Sequence, residues 1–138
     1  MDKRLIEEKL EALRYCVKRI ETKRPDSAET LSNDPDLQDI IAQNLTRAVQ
    51  LCVDIAAHII ADTASKAPAT MAEAFDALAA LNVLDESLAE HMKKAVGFRN
   101  IAVHNYQAID WQIVYSICQD RLDDFKAFAR TVVAKMGQ

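Results

Sequence analysis

Residues 34–64 read DPDLQDIIAQNLTRAVQLCVDIAAHIIADTA, and their periodicity decides the fold class. Leu37, Ile41, Leu45, Ala48, Cys52, Ile55 and Ile59 recur at steps of four and three, which puts them on one stripe of an α-helix. Asp34 supplies an N-cap, and Pro35 suits the first helical position, where a missing N–H costs nothing. The pattern predicts a helix from 35 to about 64, roughly 45 Å long. Pro68 follows its end. Upstream, Ile6, Leu10, Leu13, Val17 and Ile20 mark a helix over residues 2 to about 23; Pro25 closes it, and the polar stretch through Asn33 reads as a loop. Downstream, Thr70-Met71-Ala72-Glu73 fits a capping box that opens a short third helix with Phe75 and Leu78 inward. Asp85 caps a fourth, with Leu88, Met92 and Ala95 on one face. Asp110 caps a fifth that buries Val114, Ile117, Leu122, Phe125, Phe128 and Val132. No useful length alternates with period two. The expectation is an all-α bundle of four long helices plus one short helix, a single domain over residues 1–138, without repeats or low-complexity linkers.

Composition agrees. Half of the 138 residues are hydrophobic, and only 2 glycines and 3 prolines are present, too few turn formers for a many-stranded sandwich or barrel. The net charge of −4 excludes a general polycation that coats nucleic acid or membranes. That total hides an uneven distribution. Residues 1–24 carry net +3, residues 25–90 net −10, residues 91–109 net +3 and residues 110–138 none. The stretch 91–109 contains Lys93, Lys94 and Arg99 but no acid, and holds two of the three histidines, His91 and His104. Such a run is commonly a solvated face; a phosphate-contacting surface, with Lys93 and Lys94 as candidate contacts, is the sharper reading.

Charged residues crowd the first turns where a secretory apolar segment would start. The most apolar stretch, residues 51–61, is broken by Asp54 and His58 and is too short to span a bilayer. Cys16, Cys52 and Cys118 lie far apart among aliphatic residues. They read as three free core thiols in a reducing cytoplasm, with neither a disulfide framework nor a zinc site.

The segment Gly97-Phe98-Arg99-Asn100-Ile101-Ala102-Val103-His104-Asn105-Tyr106 carries the chemistry. On a continuous helix Asn100 and His104, four apart, share a face, and Arg99 nearly aligns with Tyr106, seven on. Arg99 and His104, five apart, diverge by about 140°; they converge through the reach of the arginine, a loosened last turn, or a second copy of the chain. Histidine is the side chain suited to moving protons near neutrality. Arginine offers a permanently charged fork that matches two phosphate oxygens, and an asparagine can orient the histidine. Each residue alone has a structural explanation, a satisfied histidine or an ion-paired arginine; their joint appearance in the acid-free stretch singles them out. Asp54 and His58 form a second polar intrusion, four apart on an apolar helix. They admit a two-ligand metal site or, more simply, an aspartate against an arginine from a neighbouring helix, Arg99 being one candidate. No Gly-rich phosphate loop, GxSxG or HExxH is present, and the acid-free stretch lacks the clustered carboxylates a metal-dependent nuclease wants. Metal-independent chemistry without a cofactor is preferred.

Arg99-Asn100-x-x-x-His104-x-Tyr106 matches the R-x4-6-H motif of the HEPN superfamily, in the RxxxxHxY form of the HepT toxins. The chain length, the long second helix with Asp54-Ile55-Ala56-Ala57-His58, and the closing helix that opens on Asp110-Trp111 resemble that family as well. The resemblance implies a toxin endoribonuclease that acts as a homodimer, with the motifs of two protomers lining one cleft. Its partner would be a minimal nucleotidyltransferase (MNT) antitoxin, together with which it forms a higher hetero-oligomer. Carried over, His104 is the acid/base, Arg99 the phosphate and transition-state stabiliser, Asn100 and Asp54 supporting residues, and Tyr106 the tyrosine that the antitoxin modifies with AMP. The expected reaction cleaves single-stranded or loop RNA and leaves a 2′,3′-cyclic phosphate. The rival reading is a non-catalytic helical subunit that presents nucleotide or substrate to a nucleotidyltransferase, with the same residues binding rather than reacting.

Overall fold

The computed structural model describes residues 2–137. Among them run seven α-helices: α1 Lys3–Lys23, α2 Ala28–Ser32, α3 Pro35–Ala61, α4 Met71–Ala80, α5 Glu86–His104, α6 Trp111–Asp120 and α7 Leu122–Met136, with a 3-10 turn at Tyr106–Ala108 before α6. Side-chain caps open six of them. Asp2, Ser27, Asp34, Thr70, Asp85 and Asp110 each accept a backbone N–H two or three residues on, satisfying a donor that the helix cannot. At α4, Thr70 caps the Glu73 N–H as expected, while the Glu73 carboxylate reaches back one residue further, to the Ala69 N–H (2.8 Å).

The all-α class is as expected, but the helix count is not four long plus one short. The stretch 25–33, read as a loop, contains the single turn and a half of α2, held by the Ser27 cap and by burial of Leu31. The second expected helix ends at Ala61 rather than near 64. The expected fifth helix is two, α6 and α7, separated at Arg121 (φ −121°, ψ −1°). The apolar spacing Val114, Cys118, Leu122, Phe125 runs through that break without interruption, so nothing in the pattern marks it. Packing does: α6 lies on α2, whereas α7 turns onto α1 and α5.

The long helix α3 is the axis, packed by α1, α2, α4, α5 and α7. Ile41, Leu45, Ala48, Cys52, Ile55 and Ile59 are all buried, as the stripe requires. Phe75 from α4 meets Phe128 from α7 edge to face, with centroids 5.9 Å apart. Such geometry sets the negative ring face against a positive edge. Between α4 and α5 the chain reverses on Asn82, the one non-glycine with positive φ (60°) among the described residues. The Val83 N–H reaches the Leu78 carbonyl (2.9 Å) and the Asn82 N–H the Ala79 carbonyl (3.0 Å), a Schellman closure that normally calls for glycine or asparagine. No described helix is long and apolar enough to cross a membrane.

All three cysteines are free and buried. Burial raises each thiol above its ordinary range, Cys118 to about 12 against a partial opposing pull from Arg24. Each folded thiol therefore stays neutral where the unfolded one ionises. Stability from this source is complete below about pH 8.5, the unfolded thiol value, and declines as pH rises towards the folded values. The native protein is expected to resist iodoacetamide at pH 8 and to take up three equivalents once unfolded. Asn82→Val should cost about 1–2 kcal/mol in urea unfolding, because a β-branched residue is forced into the left-handed region, whereas Asn82→Gly should be neutral or better.

Candidate active site

α5 stays helical through His104, its last residue, with Leu88, Met92 and Val96 buried on the inner face. The divergence of Arg99 and His104 therefore persists. Asn105 donates its N–H to the Ile101 carbonyl (2.8 Å) and ends the helix, and the chain winds at once into the turn that carries Tyr106.

Arg99 lies half-buried against α3. Its Nη2 donates to Gln50 Oε1 (3.5 Å) and its Nη1 to Asn100 Oδ1 (3.1 Å), while Nε is buried without a partner. Both acceptors are neutral amides, and no carboxylate lies within ion-pair range of the guanidinium among the described residues. Such acceptors orient a cation without cancelling its charge, so the positive potential remains available to an anion.

Asp54 does not touch Arg99. One carboxylate oxygen accepts from Gln50 Nε2 (3.0 Å) and the other faces Lys9 Nζ on α1 (3.6 Å). The expected aspartate–arginine contact is thus relayed: Lys9 holds Asp54, Asp54 holds Gln50, and the Gln50 carbonyl, its amide turned by that bond, presents to Arg99. Asp54 is part-exposed rather than buried, and its ionic partner is a lysine. No group of three or more metal-ligating side chains occurs among the described residues, so Asp54 and His58 gain no third ligand.

Arg99 and Tyr106 wall a groove of about 480 Å³ together with Ala102, Val103 and one face of α3, namely Asp39, Gln43, Thr46, Arg47 and Gln50. Arg47 and Arg99 are its two cations and Asp39 its one carboxylate. The Tyr106 hydroxyl donates to Asp39 Oδ1 at 2.6 Å, and its ring meets Trp111 edge to face, centroids 5.9 Å apart. Burial, then the hydrogen bond to Asp39 and the negative charge of that carboxylate, pushes the phenol well above its usual range. His104 is exposed at the helix end, outside the walls of this groove, flanked by the exposed side chains of Ile101 and Val103.

The lysines go elsewhere. Lys93 is engaged by Asp76 (3.0 Å) and Glu90 (3.0 Å), whose carboxylates hold its ammonium above the ordinary value. Lys94 lines a separate, larger cavity of about 540 Å³ between α5 and α6. His91 pairs with Asp124 (3.2 Å). The stretch that is free of acids along the chain is therefore not free of them in space. Asp39, Asp76 and Asp124 arrive from α3, α4 and α7. Three residues of the site, Asp39, Arg47 and Gln50, were not singled out from the sequence. Their signal was a second, polar stripe on α3 at positions 39, 43, 46, 47, 50 and 54, at helical spacing.

A family profile described as "Ribonuclease HepT-like" matches residues 6–132. The chain belongs to the HepT-like ribonuclease family. It is 35% identical over 131 residues to the mRNA nuclease HepT of Shewanella oneidensis, covering 95% of this chain and 98% of that protein. Its fold superposes with a TM-score of 0.90 on a tri-AMPylated Shewanella oneidensis HEPN toxin in complex with MNT antitoxin, at 35% identity over 97% of this chain and 99% of that one. A toxin–antitoxin structure with AMP-PNP matches equally well, with a TM-score of 0.90 at 34% identity over 96% and 99% of the two chains.

Removing the phenolic hydroxyl should cost little in stability. Tyr106→Phe is expected to lower unfolding free energy by about 1 kcal/mol, the usual worth of one hydrogen bond, measurable in urea.

Proposed function

We propose that this chain is the RNA-cleaving toxin of a two-component system, acting in the cytoplasm as a homodimer and silenced by an MNT-type nucleotidyltransferase that binds it and adds AMP to Tyr106. The observation that carries the reading is Arg99: a half-buried guanidinium in a groove, oriented by two amides and paired with no carboxylate. Family membership and the toxin–antitoxin complexes among its structural relatives support the rest.

One protomer places Arg99 in the groove and His104 outside it. A two-fold axis near the exposed Ile101 and Val103 would bury those side chains and set the His104 of one protomer against the groove of the other. Single-stranded RNA, with its splayed backbone, enters such a cleft where a duplex does not. His104 takes the proton of the ribose 2′-OH as that oxygen attacks the adjacent phosphorus in line. Arg99 neutralises the charge gathering on the non-bridging oxygens, the departing 5′-oxygen is protonated, and a 2′,3′-cyclic phosphate remains. Asn100 assists by holding Arg99, and Asp54 by holding Gln50. AMP on Tyr106 adds an anion and bulk at the mouth of the same groove, where Arg47 and Arg99 attract it and RNA is shut out.

Purified protein is expected to cut RNA in excess chelator, and His104→Ala or Arg99→Ala to lower the rate about 100-fold or more. Cleavage retained by both variants would remove the site; no cleavage by any form would favour the non-catalytic binding subunit. Mixing the two inactive variants under conditions of subunit exchange should restore about a quarter of wild-type activity, since half of the dimers then hold one intact composite site. Gln50→Glu, which sets a carboxylate on Arg99, should weaken RNA binding most at low salt and make the binding less salt-dependent than in the wild type.

A further inference from the structure

We propose that Asp39 is the catalytic base for the modification of Tyr106: the toxin itself carries the group that removes the phenolic proton when the nucleotidyltransferase transfers AMP. The inference rests on the reading of Tyr106 as the acceptor and adds who activates it.

The geometry has three parts. Asp39 Oδ1 is 2.6 Å from the Tyr106 hydroxyl, a short charge-assisted bond along which the proton already points. That bond uses the only hydrogen of the hydroxyl, so the remaining oxygen lone pairs are directed away from Asp39. The ring is held from a second side by Trp111, and the residue stays 37% exposed on the wall of the groove. Asp39 is also out of keeping with its surroundings. It is the one carboxylate in a groove whose other charges are Arg47 and Arg99, and a carboxylate there works against anionic RNA. A role in RNA binding does not account for it; a role at the phenol does.

The chemistry asks for such a group. A tyrosine near neutrality is about 0.1% ionised at its ordinary value, and burial beside Asp39 suppresses ionisation further. The proton must therefore leave during attack. As the phenolic oxygen bonds to the α-phosphorus of ATP, the bond from that phosphorus to the bridging oxygen breaks. Pyrophosphate departs with the electron pair, and the proton passes to Asp39 Oδ1. An aspartate accepts a hydroxyl proton late in phosphoryl transfer in the same manner in protein kinases.

The test measures Tyr106 modification by intact mass at saturating MNT-type nucleotidyltransferase, ATP and Mg²⁺, for wild type, Asp39→Asn and Asp39→Glu. Asp39 is exposed on the surface of α3, and thermal melting verifies that the variants fold. Asp39→Asn is expected to slow transfer about 100-fold. Asp39→Glu should recover at least tenfold over Asn. A loss under tenfold in Asp39→Asn, or no recovery in Asp39→Glu, overturns the role of Asp39 while leaving Tyr106 as the acceptor. Absence of AMP from Tyr106 in the wild type overturns the underlying reading, and this proposal with it.

Discussion

The burial of α3 is the constraint on which the rest of the molecule depends. Five other helices close against it, and the apolar stripe from Ile41 to Ile59 lies wholly inside them. The polar residues of this 27-residue helix lie away from that stripe, and part of that polar side faces the C-terminal end of α5. There Asp39, Gln43, Thr46, Arg47 and Gln50 form one wall of the groove. The same packing that makes the core thus brings a polar strip against Arg99 and Tyr106, and the site needs no loop of its own.

Electrostatically the groove differs from its surroundings by what it leaves unpaired. Lys93, His91 and Lys9 each meet carboxylates, as surface cations of an acidic protein are apt to do. Arg99 meets amides. The relay from Lys9 through Asp54 and Gln50 explains how: the negative charge of Asp54 is spent on a lysine and a glutamine N–H, and only the uncharged end of Gln50 reaches the guanidinium. A direct Asp54–Arg99 pair would hold the arginine as firmly and leave it with much less charge for a phosphate. Gln50 is therefore an insulating spacer, a role that requires an amide and that neither glutamate nor leucine can fill.

A second consequence follows from the unbroken course of α5 through His104. Straight helical geometry keeps Arg99 and His104 on different sides, and no described part of the chain bends to reunite them. In the proposed dimer, symmetry takes the place of a kink. Tyr106 lies one short turn beyond the histidine and opens onto the groove of the arginine.

Much of this was legible in the order of residues. Caps at Asp34, Thr70, Asp85 and Asp110, the apolar stripes, the free thiols and the Arg99–His104–Tyr106 spacing are local quantities, set within a few turns of one helix, and each holds in the folded chain. Two kinds of information were not local. The break at Arg121 leaves the apolar period intact and is decided by which neighbours α6 and α7 meet. The partners of the site are separated from it by 49 residues for Gln50 and Arg99 and by 67 for Asp39 and Tyr106, so no window of sequence contains both. Residues 91–109 are free of acid as a string but not as a surface, since charge acts through space while composition is counted along the chain. The sequence by itself determined the all-α class, the main buried faces and the spacing of Arg99, His104 and Tyr106. Only the packing of α5 on α3 decided which of those residues keep their charge, and what stands beside them.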